Sequence, residues 1–242
     1  MLDSPPASDS ADDPAPASPD DTGVSGWLLT DAHPSYINGF TDGTFRPNAS
    51  ITRAQTAMMF YRLLKNKNVP QNMTFRDMSG KEWYAEAVFT LAYYGIIQGY
   101  SDGNFHGDRT ITRAAFTAIC ARFAKHIGEY KDGALSFSDV PETRWARDVI
   151  MGASSCGWIG GYDDGTFRPA NSITRAAATA IMNRMLARVA DREYVKNHFD
   201  SLKSFSDVRD ETAWYFYNVM EAANNHDFSV KGSQEVWESV KN

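Results

Sequence analysis

The chain has 242 residues, 43% of them hydrophobic and 13% aromatic, and a formal net charge of −6, which is enough material for a real core. Residues 1–23 hold six Asp and no Lys or Arg, so they account for the whole −6 and the rest is balanced. That excludes the basic excess of an electrostatic nucleic-acid binder, and no apolar run approaches the length that crosses a bilayer.

Taken in order, residues 1–23 are mostly Asp, Ser, Pro and Ala, the composition of a disordered acidic linker. A linker here implies further domains upstream in the same polypeptide. The start Met1-Leu2-Asp3-Ser4-Pro5 is not a signal peptide, so an exported protein would carry this chain as a fragment. Trp27, Leu28 and Leu29 are the expected first anchors. A turn-plus-helix half follows, with Ala54, Ala57, Met58, Tyr61 and Leu64 on one helical face. Within 24–65 this forms a first half-unit.

A second kind of half recurs three times. Phe75-Arg76-Asp77 leads to Trp83, Phe137-Ser138-Asp139 to Trp145, and Phe205-Ser206-Asp207 to Trp214. Each opens an amphipathic helix. The first two end at Gly95 and Gly157, a helix C-cap signal, where the third has His226. The turn-plus-helix half also recurs. Gly39-Phe40-Thr41-Asp42-Gly43, Gly99-Tyr100-Ser101-Asp102-Gly103 and Gly161-Tyr162-Asp163-Asp164-Gly165 precede Ile-Thr-Arg-Ala at 51–54, 111–114 and 173–176. The Asp to Arg distance is 11 residues each time (42 to 53, 102 to 113, 164 to 175). Fixed spacing means one structural unit used repeatedly. Two units are complete, 75–126 and 137–190, with an orphan half at each end of the chain. The last half, 204–227, stops in the repeat column where the half at 35–65 begins. It is therefore expected to complete that half, closing a three-unit ring that needs no capping ends. Residues 228–242 are left as a tail.

Arg53, Arg113 and Arg175 fall in the first helical turn, the wrong end of the dipole for a cation. With free helix N–H groups they would make an anion site; the structural alternative is an ion pair to Asp77 or Asp139. Trp83, Trp145 and Trp214 offer faces for sugar stacking, or staple each helix start to the core. Gly39, Gly99 and Gly161 either admit a ligand close to backbone or permit the turn. Asp77, Asp139 and Asp207 are read as caps or buttresses of the Trp helices, and as candidate ligand contacts. Asp42, Asp102 and Asp164 read as turn residues, since an EF-hand's later carboxylates are missing. Cys120 and Cys156 have no metal or framework spacing and are either packed thiols or a pair. The five His show no ligand spacing, so no metal and no cofactor is assigned. No nucleophile elbow, zinc-protease motif or phosphate loop is present, so no catalytic residue is named.

The set Phe-x-Asp, Trp, Gly-Ile-Ile-x-Gly-Tyr-x-Asp-Gly-Thr-Phe-x-Pro, Ile-Thr-Arg-Ala is nearly complete at 75–114 and 137–176 and half complete at 36–54. It resembles surface-layer homology (SLH) domains. The resemblance implies a mainly α fold of three pseudo-symmetric helix–loop–helix repeats around a central three-helix bundle, with short extended segments in the loops. It also implies a non-enzymatic anchor at the bacterial cell surface. Grooves between repeats would bind a secondary cell-wall polysaccharide carrying pyruvate ketals. A protein–protein assembly module and a peptidoglycan binder are the alternatives. The chain departs from the family at Gln55, Ala115 and Ala177, where Glu is usual, and at His106-Gly107-Asp108. Only Gln55 can close a capping box with its Thr.

Overall fold

The computed structural model describes residues 16–72, 74–125, 127, 136–232 and 234–241. Most of the expected linker, residues 1–15, lies outside them. Its last part does not behave as linker. Pro19–Thr22 (α1) is a single helical turn capped by Ser18. The Ala17 N–H reaches the Cys156 carbonyl at 2.9 Å, and the Lys125 N–H reaches that of Thr22 at 2.8 Å. Val24 and Leu28 are buried, and Trp27 meets Tyr94 and Phe123 edge-on.

The described chain is mainly helical: α2 (Arg53–Leu63), α3 (Ala85–Tyr93), α4 (Arg113–Arg122), α5 (Arg147–Ser155), α6 (Arg175–Met185), α7 (Arg192–His198) and α8 (Phe216–Ala223). Helix α2 packs on α3, α4 on α5, and α6 on α8. One expected face is misplaced. Met59, Phe60 and Leu63 of α2 are buried, while Met58 and Tyr61 are only partly covered. A helix with neighbours on several sides does not keep a single apolar stripe. Helices α3 and α5 end as their glycines dictate. Gly95 (φ 71°) and Gly157 (φ 70°) are left-handed, and Ile96 and Trp158 bond back to Leu91 and Ala153, the pattern of a Schellman cap.

The three Ile-Thr-Arg-Ala segments meet through their backbones. The Ile51 N–H donates to the Ile173 carbonyl (3.0 Å), Ile173 to Ile111 (3.0 Å), and Ile111 back to Ile51 (3.1 Å). Thr52, Thr112 and Thr174 then cap α2, α4 and α6 through their hydroxyls, and Gln55 closes the capping box. The remaining first-turn N–H groups dock into a neighbouring loop. Arg53 and Ala54 donate to Arg109 and Gly107, Arg113 and Ala114 to Asn171 and Pro169, and Arg175 and Ala176 to Ala49 and Pro47.

Each of those loops is held by one carboxylate. Asp77 accepts the N–H groups of Phe105 and His106, Asp139 those of Phe167 and Arg168, and Asp207 those of Phe45 and Arg46, all at 2.7–2.8 Å. Of the expected roles, capping or buttressing the Trp helix, the cap is not seen, since α3, α5 and α8 carry no side-chain cap; these carboxylates hold the loop. Arg46, His106 and Arg168 sit at φ 60°, 55° and 56°. This is a left-handed conformation that costs a side-chain-bearing residue about 1–2 kcal/mol, and the carboxylate offsets that cost. Asp42, Asp102 and Asp164 form the turns, accepting from the backbone two residues on.

Beyond α6 the sequence reading has gaps. Helix α7 is capped by Asp191. The expected tail is a β-hairpin, β1 (His226–Lys231) paired antiparallel with β2 (Gln234–Val240) and irregular between Asp227 and Phe228. Trp237 of β2 is buried, stacks on His226, and receives its backbone anchor from Asp191. Cys120 and Cys156 are buried free thiols, and burial pushes Cys156 up to about 11. No helix among the described residues is long and apolar enough to cross a membrane.

Asp77 and Asp164 make the fold acid-sensitive. Burial pushes Asp77 up, but the amides of Phe105 and His106 outweigh it and hold the group below its ordinary value. The Thr166 hydroxyl and amide and Arg168 bring Asp164 to about 2. Depressed carboxylates contribute stability that is full above their unfolded pKa of about 3.9 and lost as pH falls through the folded values. Their contribution to the melting temperature should be full above about pH 5 and should be lost between about pH 4 and pH 2. Asp207→Ala, which leaves the Phe45 and Arg46 amides without their acceptor, should cost about 2 kcal/mol in urea denaturation.

Candidate functional site

The three Arg side chains are not free hands at a helix start. Arg113 and Arg175 are 2% and 3% exposed, and Arg53 is half-buried. Each Nε donates to a loop carbonyl: Arg53 to Phe105, Arg113 to Phe167, and Arg175 to Phe45, at 2.7–2.8 Å. Each Nη2 reaches a second carbonyl, on Gln98, Gly160 and Asn38. Each guanidinium also lies over two rings, Tyr100 and Phe105, Tyr162 and Phe167, or Phe40 and Phe45. These are cation–π contacts. The expected free helix N–H groups are already occupied by loop carbonyls and Thr hydroxyls. The expected carboxylate partners, Asp77 and Asp139, accept backbone amides instead. The Arg is thus a latch into the neighbouring loop. Burial lowers Arg53, and it brings Arg175, which Arg46 also repels, to about 10.

The glycines serve the same loop. A Cβ on Gly39, Gly99 or Gly161 would stand 2.4, 2.7 or 2.6 Å from the ring of Phe205, Phe75 or Phe137. It would also press on the carbonyl of Thr44, Asn104 or Thr166. The close approach is made by the chain's own phenylalanine, and none of the three has a positive φ. The indoles go the other way. Trp83 and Trp145 are 64% and 68% exposed, so the core-staple alternative fails for them; Trp214 is partly buried.

One cavity brings these elements together. Its volume is about 200 Å³. It is lined by Asn38 and Gly39 of the first loop, Gln55 and Arg62 of α2, Trp83 ahead of α3, and Arg175 of α6, over an apolar floor that includes Met58. Arg62, whose spacing carried no signal, is held there by its bond to the Tyr36 carbonyl at 3.1 Å. The cleft therefore offers an exposed aromatic face, the Arg62 guanidinium, the small exposed part of the Arg175 guanidinium, and the side chains of Asn38 and Gln55. That is the chemistry of a polar, anionic ligand with one flat apolar side.

Three segments of the chain, residues 35–57, 74–117 and 136–179, match the S-layer homology domain. The chain is 32% identical over 214 residues to cell surface glycoprotein 1 of Acetivibrio thermocellus, covering 84% of this chain and 9% of that protein. It is 31% identical over 215 residues to the cellulosome-anchoring protein of the same organism, covering 86% and 46%. An amylopullulanase of Thermoanaerobacterium thermosulfurigenes is 36% identical over 157 residues, 63% of this chain and 8% of the enzyme. The chain spans less than half the length of each of these relatives.

The latch makes a stability prediction. Arg175→Lys keeps the charge but loses the planar fork that serves two carbonyls and two rings. It should lower unfolding free energy by about 2–3 kcal/mol, read by urea denaturation. Gly161→Ala should cost about 1–3 kcal/mol by overpacking Phe137, in the same measurement.

Proposed function

The chain belongs to the S-layer homology domain family, and from that premise we propose that it fastens its polypeptide to a bacterial cell wall by binding an anionic wall polysaccharide. The cleft lined by Trp83, Arg175, Arg62 and Gln55 carries this reading. An indole stacks on a sugar face, and a guanidinium pairs with a carboxylate such as that of a pyruvate ketal. Location at the cell surface agrees with relatives named cell surface glycoprotein, cellulosome-anchoring protein and surface layer protein. The role proposed for this chain is binding.

In this reading the module is a three-unit pseudo-symmetric ring around a central bundle of α2, α4 and α6, in which 204–227 completes 35–65. Asp207 supports the closure, since it holds Phe45 and Arg46 as Asp77 holds Phe105 and His106. Applying the repeat to the first cleft, we expect two further grooves, one at Trp145 with Arg53 and one at Trp214 with Arg113. They are not equivalent to the first: where the first has Gln55, these have Ala115 and Ala177, and each loses an amide. Several weak grooves on one polymer act together through rebinding, so avidity exceeds the affinity of any one of them. Gly39, Gly99 and Gly161 and Asp77, Asp139 and Asp207 shape the groove walls.

The test is co-sedimentation with purified walls stripped of protein. Trp83→Ala should weaken binding by about tenfold or more. Its melting temperature should stay unchanged, because an exposed side chain contributes little to stability. Walls from which pyruvate has been removed chemically should bind less wild-type protein. Equal binding of Trp83→Ala sinks the groove assignment. Failure of wild-type protein to bind stripped walls, with capture restored by surface protein, would favour the assembly-module alternative.

A further inference from the structure

Away from the groove, one buried cluster is used by none of the chemistry above. It gathers His33 of the lead-in, Glu221 of α8, His226 of β1 and Glu235 of β2. Among the described residues, each offers one ligand atom and all four lie within 4.8 Å of one another. His33 Nδ1 is 3.0 Å from His226 Nε2 and 3.0 Å from Glu235 Oε1. Glu235 Oε1 is 3.1 Å from His226 Nε2, and Glu221 stands 3.3 Å from His33 and 3.5 Å from His226. We propose that these four side chains form a closed site for a divalent transition metal, zinc in the first place, which staples the N-terminal lead-in to the C-terminal hairpin.

The spacing is the first argument. Zinc binds His nitrogen and carboxylate oxygen at about 2.0–2.2 Å in a tetrahedron, whose donor atoms stand about 3.3–3.6 Å apart. The contacts of 3.0–3.5 Å lie near that edge length. The second argument is Glu221. It is fully buried, and no donor meets either of its oxygens with hydrogen-bonding geometry. Its nearest partners are the two imidazoles, at 3.3 and 3.5 Å, and a buried carboxylate held no more closely than this is unfavourable; a metal at the centre of the four side chains would satisfy it. The third argument is the surrounding shell. His226 Nδ1 faces the Asn224 carbonyl at 3.0 Å, which fixes the tautomer that leaves Nε2 with its lone pair toward the cluster. Glu235 is oriented by the Trp237 indole and the Val189 amide. The rings of Phe228 and Trp237 stack on His33 and His226 and keep water out. The charge count agrees. Among the described residues, the two carboxylates act electrostatically on one fixed cation, Arg188, whose guanidinium is tied to the carbonyls of Leu29, Ala32 and Pro34. One negative charge is left over, for a metal or for a proton held on an imidazole. Four protein ligands with no solvent-facing position mark a structural site.

The experiment uses the full chain, stripped with EDTA and dialysed, then offered zinc and, separately, cobalt. Zinc uptake measured by elemental analysis after gel filtration should reach one equivalent. Zinc should raise the melting temperature by about 5–10 °C at saturating concentration. Cobalt should give the intense visible bands of a tetrahedral complex. Glu221→Gln and His33→Gln should each abolish the melting shift while binding to stripped walls persists, so this outcome is independent of the groove. Folded wild-type protein that takes up no stoichiometric metal overturns the proposal and leaves the cluster to a shared proton. Undiminished uptake in both variants overturns it equally, by placing the metal elsewhere. Should the variants fail to fold, the wild-type cobalt spectrum decides.

Discussion

Three backbone hydrogen bonds, each Ile N–H reaching the next Ile carbonyl, bring residues 51, 111 and 173 together. They set side by side three helix starts, where the first N–H groups lack intrahelical partners. Here α2, α4 and α6 begin half-buried against neighbouring loops. Each start is satisfied by a Thr hydroxyl and by carbonyls of a neighbouring loop. A loop can supply those carbonyls only if it is rigid, and rigidity comes from Asp77, Asp139 and Asp207 gripping two amides apiece.

That constraint decides what the three Arg residues do. A guanidinium at a helix start is unfavourable against the dipole unless something else compensates. The compensation is a pair of loop carbonyls and two aromatic faces, with Gly39, Gly99 and Gly161 letting the phenylalanines close over the loop. The result is a rigid wall of which Arg175 forms part. In the proposed groove, ligand contact would fall to what this wall leaves outside: the indole of Trp83, the head groups of Arg62 and Gln55, and the small accessible part of Arg175. Preorganisation of this kind limits the ordering cost of binding.

Residues 29–46 meet the C-terminal part of the described chain. Asp207 holds Phe45 and Arg46, the His226 N–H reaches the His33 carbonyl, and Arg188 collects three carbonyls from residues 29–34. The hairpin adds Trp237 and Glu235 over this junction. Linkage of distant segments stabilises by tertiary contact what neither segment could hold alone, and it concentrates buried charge where the ends join.

Much of the design was legible in the residues. The 11-residue spacing from Asp-Gly to Arg, the Thr caps, the Gly95 and Gly157 helix ends and the Gln55 capping box are local chemistry, written within a few positions of where it acts. The partners of Arg53, Arg113 and Arg175 were not, because a backbone carbonyl 45 to 137 residues away carries no side-chain signature. For the same reason Asp207 could be aligned with Asp77 and Asp139 but its amide partners could not be named. The hairpin at 226–240 and helix α7 fall outside the repeat, so no alignment pointed to them. His33 and His226 are 193 residues apart, and no ligand spacing survives such a separation. Sequence determined the repeating unit and its turns, since those depend on neighbours along the chain. Only the tertiary structure decided which groups are buried, which guanidinium is a latch and which indole faces water, since those depend on neighbours in space.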